Sequence, residues 1–190
     1  GPSRGILTGE RVALNLMQRM SGVSTMTAKA VASVAGTKAI ITDTRKSTPG
    51  LRVLEKYAVR VGGGRNHRFN LADGVLIKDN HIALAGDVAT AVGRARAGVG
   101  HMVKIELEVD TLAQLEVALQ LGVDVVLLDN MSLDDLRTAV GMCKGRAITE
   151  ASGRITPETA PAVAATGVDQ IAVGWLTHSA KVLDIGLDAG

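Results

Sequence analysis

Cationic side chains are concentrated in one part of the 190-residue sequence. The segment from Asp43 to Asp79 contains eight Lys or Arg residues against four Asp or Glu, whereas the whole chain has a formal net charge of only +2. His67 and His81 lie in or beside the same segment. Such a concentration of positive charge predicts either a solvated basic surface or a pocket for a strongly anionic ligand.

Two carboxylates follow this segment at a spacing that brings them together. Glu106 and Glu108 are two residues apart in the apolar run MVKIELEVD, which has the composition of a strand. Side chains two apart in a strand point to the same face, and burying them is costly unless a base or a metal ion accompanies them. The Lys and Arg side chains of the preceding segment are the available partners.

Short apolar runs alternate with helical patterns along the chain. The runs predict six strands, near residues 39–41, 74–78, 102–109, 124–128, 146–150 and 169–173. Helical spacing predicts helices over 10–35, 49–59, 86–97, 111–121, 132–143 and 156–167, and a short helix that starts at Thr177. The predicted N-caps are Thr8, Asp110 or Thr111, Ser132, and Thr156 with Pro157 in the first turn. This alternation predicts an α/β fold with parallel strands.

The polar residues at the strand ends distinguish two α/β architectures. They are the segment 43–46, Lys78, Asp79, Glu106, Glu108, Asp129, Asn130, Glu150, Ser152, Gly153 and Gly174. In a βα barrel all of these ends meet on one rim, whereas in a doubly wound sheet only those near the switch point share a site. The pattern favours a TIM-like βα barrel. We expect it to be small or incomplete, with about six to seven strands, because an eightfold barrel usually takes about 250 residues.

The predicted organisation is a single domain over 1–190, with a leading helical segment over 1–36 and βα repeats over 37–190. No GxGxxG follows the first predicted strand and no GxxxxGK[ST] occurs, which disfavours dinucleotide and P-loop sites. Aromatic residues make up only 2%, so base stacking and a nucleic-acid partner are disfavoured. No apolar run is long enough to span a membrane. The single Cys143 excludes an internal disulfide and indicates a reducing, cytoplasmic location.

Several motifs, each weak alone, become specific in combination. They are DTRKSTPGLRVLEKYAVRVGGGRNHR, LIKDNH, EVDTLAQL, VVLLDN, EASG and GWLTHSAKVLDIGLD. In order and spacing they resemble the C-terminal barrel domain of the quinolinate phosphoribosyltransferase family, from about Arg4 to Asp188. Two alternatives remain open: a related phosphoribosyltransferase-like protein of molybdenum-uptake operons, and a non-catalytic or partner-dependent barrel that binds anions.

The resemblance implies an enzyme, a pentosyltransferase of NAD biosynthesis. It would join quinolinate to phosphoribosyl pyrophosphate with decarboxylation, giving nicotinate mononucleotide, pyrophosphate and CO2. The implied catalytic residues are Lys78, Glu108 and Asp129. The implied substrate-binding residues are Thr44, Arg45, Lys46, His67, Arg68, Lys78, Glu108, Asp129, Ser152, Gly153, Gly174 and His178.

The resemblance also distributes these residues between the substrates. Quinolinate would contact Arg45, His67, Arg68 and Lys78, with Lys46 between it and the sugar phosphate. The ribose hydroxyls and an indirectly bound Mg²⁺ would lie at Glu108 and Asp129, and the 5′-phosphate at Ser152, Gly153, Gly174 and His178.

The resemblance implies no organic cofactor, and it implies a homodimer. Members of the family carry an N-terminal domain ahead of the barrel, and the resemblance covers only the barrel; we expect the chain to be a fragment, to receive this domain from another polypeptide, or to have an open and impaired site. Arg154 stands where the family usually has glycine, so we expect it either to crowd the phosphate loop or to add a cation to it.

Overall fold

The computed structural model describes residues 1–188, in which six parallel strands alternate with helices. The strands are β1 Ile40–Thr42, β2 Val75–Ile77, β3 Ile105–Val109, β4 Val125–Asp129, β5 Ile148–Ser152 and β6 Gln170–Ala172. The helices are α1 Ser3–Ser33, α2 Arg52–Val61, α3 Asp79–Ala85, α4 Val88–Gly98, α5 Leu112–Gln120, α6 Leu133–Cys143, α7 Ala160–Ala164 and α8 Trp175–His178. The α/β class, the parallel strands and the number of strands are confirmed.

The six strands form one sheet in the order β1-β6-β5-β4-β3-β2. The pairing of β1 with β6 is the one that closes a barrel, and the pairing of β1 with β2 is missing from the described residues. An isolated bridge between Thr42 and Arg65 lies at that opening. One cavity is lined by residues on or directly after β1, β2, β4, β5 and β6, so the sheet curves around it. The barrel is therefore incomplete, as predicted, and open between β1 and β2.

The core between the sheet and the helices is aliphatic. Ile41, Leu107, Leu128 and Ile171 of the strands are at most 2% exposed, and Leu115 of α5 is fully buried. Each such side chain contributes about 1.5–3 kcal/mol by leaving water. With 2% aromatic residues, the sequence builds this core from small and branched side chains that fit between closely spaced helices and strands.

The longest helix, α1, packs mainly against α2 and also contacts β1, α7 and α8. The glycine run after α2 lies against it, since a Cβ at Gly62 would be 2.5 Å from the Ser24 carbonyl oxygen and one at Gly64 would be 2.8 Å from Thr27 Cγ2. Close backbone approach therefore explains this glycine run. No helix among residues 1–188 is both long and apolar enough to cross a membrane.

Two predicted N-caps are confirmed. The Thr111 hydroxyl accepts from the Gln114 amide at 3.2 Å, and the Ser132 hydroxyl accepts from the Asp135 amide at 3.1 Å. The cap predicted at Thr8 is wrong, because α1 already begins at Ser3 and the Thr8 hydroxyl donates to a carbonyl one turn earlier.

The predicted start of the last long helix is also wrong. Thr156 and Thr159 hydrogen-bond to each other's backbone and form a turn, so α7 begins only at Ala160, with Pro161 in its first turn. The terminal helix α8 begins at Trp175, two residues before the predicted Thr177.

The helix α3 was missed by the periodicity, and its start explains why. The N-cap is Lys78, where Ser, Thr or Asp is usual, and the ring nitrogen Nδ1 of His81, at N3, accepts from the Lys78 amide at 2.9 Å in place of the usual Glu or Gln. This contact turns the chain directly after β2, which leaves Lys78 at the end of the strand.

Candidate active site

Two adjoining cavities lie at the carboxyl ends of the strands. We call the first, of about 340 Å³, the cationic cavity; Arg45, His67 and Arg68 line it. We call the second, of about 480 Å³, the carboxylate cavity; Glu108 and Asp129 line it. Five residues line both: Thr44, Lys46, Lys78, Ser152 and Ala172. All twelve residues that the sequence analysis selected line one or both cavities, so the curved sheet does bring them together.

Two guanidinium groups, those of Arg45 and Arg68, line the cationic cavity. Arg45 Nε is buried and has no hydrogen-bond partner among residues 1–188. Arg68 Nη1 donates to the Gly74 carbonyl at 2.9 Å. Burial, and then the nearby Arg45, lower the pKa of Arg68. A buried, unpartnered donor and a second guanidinium beside it favour an anion in this space.

His67 lies on the floor of the cationic cavity between two carboxylates. Its Nε2 is 3.1 Å from Glu106 Oε2 and 3.4 Å from Glu150 Oε1, and its Nδ1 accepts from the Arg68 amide at 2.8 Å. Burial lowers the pKa of His67, but the hydrogen bond to Glu106 and the close contact with the Glu150 carboxylate outweigh it and raise the pKa to about 10. Burial raises the pKa of Glu150, and His67 opposes that rise.

Glu106 and Glu150 were not among the predicted substrate-binding residues. The two-residue spacing had placed Glu106 on the same face as Glu108; Glu108 lines the carboxylate cavity, and Glu106 contacts His67, which lines the cationic cavity. The signal that both glutamates are partners of His67 is absent from the sequence, because His67 reaches them from a loop 39 residues before Glu106.

A buried ion pair fixes the loops that carry Arg45 and His67. Asp43, directly after β1, accepts from the Lys56 ammonium, from the His67 amide at 2.9 Å and from Asn66 Nδ2 at 2.6 Å. Lys56 on α2 is only 1% exposed and also donates to the His67 carbonyl at 3.0 Å. These contacts hold the two loops at a fixed separation, so the cations they carry are positioned before a ligand arrives.

The two cavities meet at an ion pair. Lys78, at the end of β2, donates to Glu108 on the neighbouring strand β3. Glu108 is mostly buried, whereas the Lys78 side chain is 44% exposed and lines both cavities. Lys78 therefore can contact a ligand in either cavity without losing its carboxylate partner.

Small residues form the far wall of the carboxylate cavity. At Gly153, with φ +93°, a Cβ would be 2.4 Å from Asn130 Oδ1, so only glycine fits. At Gly174 a Cβ would be 3.1 Å from both Lys46 Cδ and His178 Nε2. Backbone amides and the Ser152 hydroxyl are thus open to a ligand at this wall.

Arg154 follows directly in the same wall. It is exposed, lines the carboxylate cavity and has a φ of +48°, a region that favours glycine. The left-handed backbone explains why the family pattern has glycine here. The Arg154 side chain adds a cation at the rim of this cavity.

The donor set of the carboxylate cavity fits a magnesium ion. Mg²⁺ prefers oxygen ligands, retains several waters and is bound by few carboxylates. Glu108 and Asp129 both line this cavity, and one oxygen of Asp129 accepts from Asn130 Nδ2 at 2.6 Å, which leaves its other oxygen available.

The chain resembles known proteins over almost its whole length. Residues 23–188 match the family described as quinolinate phosphoribosyl transferase, C-terminal domain. A probable nicotinate-nucleotide pyrophosphorylase [carboxylating] of Bacillus subtilis (strain 168) is 53% identical over 99% of this chain and 65% of its own length. A nicotinate-nucleotide pyrophosphorylase [carboxylating] of Mycobacterium leprae (strain TN) is 51% identical over 98% of this chain and 66% of its own length.

The solved structures agree with the sequence comparisons. The crystal structure of NadC from Streptococcus pyogenes is 48% identical and superposes with a TM-score of 0.93, covering 97% of this chain and 65% of that one. This chain thus spans just under two thirds of the length of these relatives. Because residues 23–188 match the family and about half of the residues are identical to those of these relatives, the chain belongs to the quinolinate phosphoribosyl transferase family and contains its C-terminal domain.

Proposed function

We propose that this chain acts as a βα-barrel domain that transfers the phosphoribosyl group of phosphoribosyl pyrophosphate to quinolinate, with loss of CO2. The products would be nicotinate mononucleotide and pyrophosphate. The observation that carries the proposal is the pair of adjoining cavities, one walled by cations and one by carboxylates and glycine, with Lys46 and Lys78 at their junction. A transfer reaction needs two substrates held in contact at such a junction.

The cationic cavity suits the dianion of a small pyridine diacid. Arg45 and Arg68 present planar donor pairs, which match carboxylate geometry, and Lys46 and Lys78 add two point charges. The volume of about 340 Å³ is at the lower end for small-molecule sites, as a bicarboxylated six-membered ring requires. We assign quinolinate to this cavity.

The carboxylate cavity suits a ribose phosphate. Glu108 and Asp129 can accept hydrogen bonds from ribose hydroxyls, and their negative charge stabilises an oxocarbenium-like anomeric carbon. The wall at Ser152 and Gly153, with Gly174 and His178 beside it, offers a hydroxyl and open backbone for the 5′-phosphate. We assign phosphoribosyl pyrophosphate to this cavity.

The chemistry then follows from position and charge. The ring nitrogen of quinolinate forms a bond to the anomeric carbon as the bond from that carbon to pyrophosphate breaks, and the leaving group takes the electron pair. The carbon–carbon bond to the adjacent carboxylate then breaks. Its electron pair stays on the ring carbon, next to the quaternised nitrogen, until a proton arrives. Lys78 lies between the cavities, where it can stabilise negative charge on either substrate.

The metal proposed for this reaction is Mg²⁺, and no organic cofactor is needed. Glu108 and Asp129 would hold the ion, largely through water. When bound, Mg²⁺ would neutralise charge on the pyrophosphate oxygens. Lys46 and Lys78 would add to that neutralisation from the protein side.

We further propose a cytoplasmic homodimer. The first half of α1 exposes apolar side chains that a second subunit would bury, namely Ile6, Leu7, Val12 and Met17. The buried free thiol of Cys143 suits a reducing compartment. Light scattering of the purified chain tests the dimer, and a single-subunit mass would contradict it.

The decisive experiment measures 14CO2 release from carboxyl-labelled quinolinate with phosphoribosyl pyrophosphate and Mg²⁺. We expect release that requires both substrates and stops when Mg²⁺ is chelated. Calorimetric binding of both substrates without any release would contradict the transferase and leave the barrel that only binds anions. Failure to bind quinolinate at millimolar concentration would contradict the assignment of the cationic cavity.

A further inference from the structure

Two buried carboxylates lie on the floor of a cavity that otherwise presents cations. Glu106 is 7% exposed and Glu150 is 2% exposed. The negative charge of each carboxylate would repel an anionic ligand in the cavity. Burying each carboxylate is also costly. Their presence in this cavity therefore needs a reason beyond ligand binding.

Both carboxylates converge on one atom. Glu106 comes from β3 and Glu150 from β5, with β4 between the two strands, and they reach His67 Nε2 at 3.1 and 3.4 Å. The other ring nitrogen accepts from the Arg68 amide. Because Nδ1 is an acceptor, the proton of the imidazole is on Nε2. Any rotation of the ring would leave at least one of these contacts broken.

Apart from their contacts with His67 Nε2, the two carboxylates have no hydrogen-bond partner within residues 1–188. Glu106 Oε1 and Glu150 Oε1 are buried without a hydrogen-bond partner. Glu55 is equally buried, yet both of its oxygens are bonded, to the Thr48 amide and hydroxyl and to the Arg19 guanidinium. Glu55 thus has the contacts of a structural carboxylate, whereas Glu106 and Glu150 have His67 in common.

We propose that Glu106 and Glu150 are positioning residues that hold the His67 imidazole through Nε2, so that Nδ1 accepts from the Arg68 amide and fixes Arg68 in the quinolinate cavity. The part concerning quinolinate rests on the proposed function. Glu106 also offsets the repulsion between Arg45 and Arg68 while the cavity is empty.

The proposal predicts an effect opposite in sign to simple charge removal. Glu150→Gln keeps the side-chain volume and removes one negative charge, which by Coulomb's law alone would strengthen the binding of a dianion. We expect instead that the variant binds quinolinate about tenfold more weakly, about 1.4 kcal/mol, with unchanged affinity for phosphoribosyl pyrophosphate. Glu116→Gln, an exposed carboxylate on α5, is the matched control. Unchanged or tighter quinolinate binding by Glu150→Gln would overturn the proposal.

A double-variant cycle shows whether the glutamate acts through the histidine. In the His67→Gln background, Glu150→Gln should no longer weaken binding, because the group that it positions is gone. Equal losses with and without His67 would overturn the proposal. Thermal unfolding of each variant separates these losses from misfolding.

A spectroscopic readout tests the proposal without any substrate. The His67 Nε2 proton should give a downfield, slowly exchanging NMR signal that disappears in His67→Gln and moves in both Glu106→Gln and Glu150→Gln. Absence of that signal would overturn the proposal. Loss of the signal on addition of Zn²⁺ alone would also overturn it, because His67, Glu106 and Glu150 would then be ligands of a metal ion. If the wild-type chain gives the signal but does not bind quinolinate, the proposed function fails while the positioning of His67 stands.

Discussion

The two ends of the sheet each carry a cavity, and they differ in how their polar groups are satisfied. The cavity at the amino ends is about 480 Å³, as large as any at the carboxyl ends, and Lys38, Thr149 and Asp169 line it. Asp169 accepts there from the Thr149 amide at 2.9 Å, from the Thr149 hydroxyl at 2.7 Å and from Lys38 Nζ at 2.7 Å. The buried thiol of Cys143 beside them has its pKa raised by burial to about 11, which makes it unreactive at neutral pH.

At the carboxyl ends of the strands, by contrast, some buried polar atoms are left without a hydrogen-bond partner. The buried side-chain atoms that lack a hydrogen-bond partner among residues 1–188 are Arg45 Nε, Glu106 Oε1 and Glu150 Oε1, and all three belong to the cationic cavity or its floor. Cavity size therefore does not distinguish the two ends. The unsatisfied buried charge does, because a folded chain tolerates it only where a ligand or a catalytic role compensates the cost.

The largest effect that this contrast predicts is that of Lys78→Ala. Removing a cation that faces two anionic substrates should lower kcat/KM about a hundredfold or more, with little loss of stability because the side chain is 44% exposed. The CO2-release assay measures it. Lys144→Ala, an exposed lysine at the amino-end cavity, is the control and should leave the rate unchanged. Equal rates for the two variants would remove the functional distinction between the ends.

Asp169→Asn at the amino ends should affect stability and leave activity intact. Burial raises the pKa of Asp169, but Lys38 and the Thr149 hydrogen bonds lower it more, so its net shift is downward. A lowered pKa stabilises the fold at pH values above the unfolded-state pKa and loses that effect as pH falls through the folded-state pKa. We expect the variant to lose about 1 kcal/mol of unfolding free energy at pH 7.

Denaturant titrations at several pH values check this prediction for Asp169→Asn. The difference from the wild type should shrink below about pH 4, near the ordinary aspartate pKa. A difference that is constant with pH would show that packing, and not charge, is lost. A fall in kcat/KM would show that the amino ends take part in the reaction.

The smallest effect is expected for Arg154→Gly. The φ of +48° suits glycine, so the unfolding free energy should change by less than about 1 kcal/mol. An exposed cation at the rim contributes up to about 1 kcal/mol, which corresponds to at most a fivefold loss of affinity for phosphoribosyl pyrophosphate, and high salt should abolish the difference. Calorimetry at two ionic strengths measures it. Tighter binding by the variant would mean that Arg154 obstructs the phosphate wall.

Much of the fold was predictable because its signals are local. The six apolar runs became strands, and Thr111 and Ser132 cap their helices because capping depends on neighbouring residues. The start of α7 was not predictable, since Thr156 and Thr159 each accept from the other's backbone amide and so hold the chain in a turn before the helix. The helix α3 was not predicted because its N-cap is a lysine and its N3 residue is a histidine.

The site likewise contains features that the sequence predicts and features that depend on contacts between distant residues. Polar residues at the ends of parallel strands converge, which is why Lys78, Glu108 and Asp129 line the two cavities, whereas His67 and Arg68 lie on a loop and were expected there only from the family resemblance. The partnership of His67 with Glu106 and Glu150 could not be inferred, because it depends on where an irregular loop crosses the sheet. Likewise Lys56, a lysine at an ordinary helical position, gave no sign that it would be buried against Asp43.

The opening of the sheet between β1 and β2 has a mechanical consequence. These are its two edge strands, each three residues long, and Lys46 follows one while Lys78 follows the other. A ligand that contacts both lysines bridges the two edges, which the backbone pairing leaves apart. Substrate binding would then stiffen the barrel by completing its circumference, so that affinity for the substrates and rigidity of the sheet depend on the same two contacts.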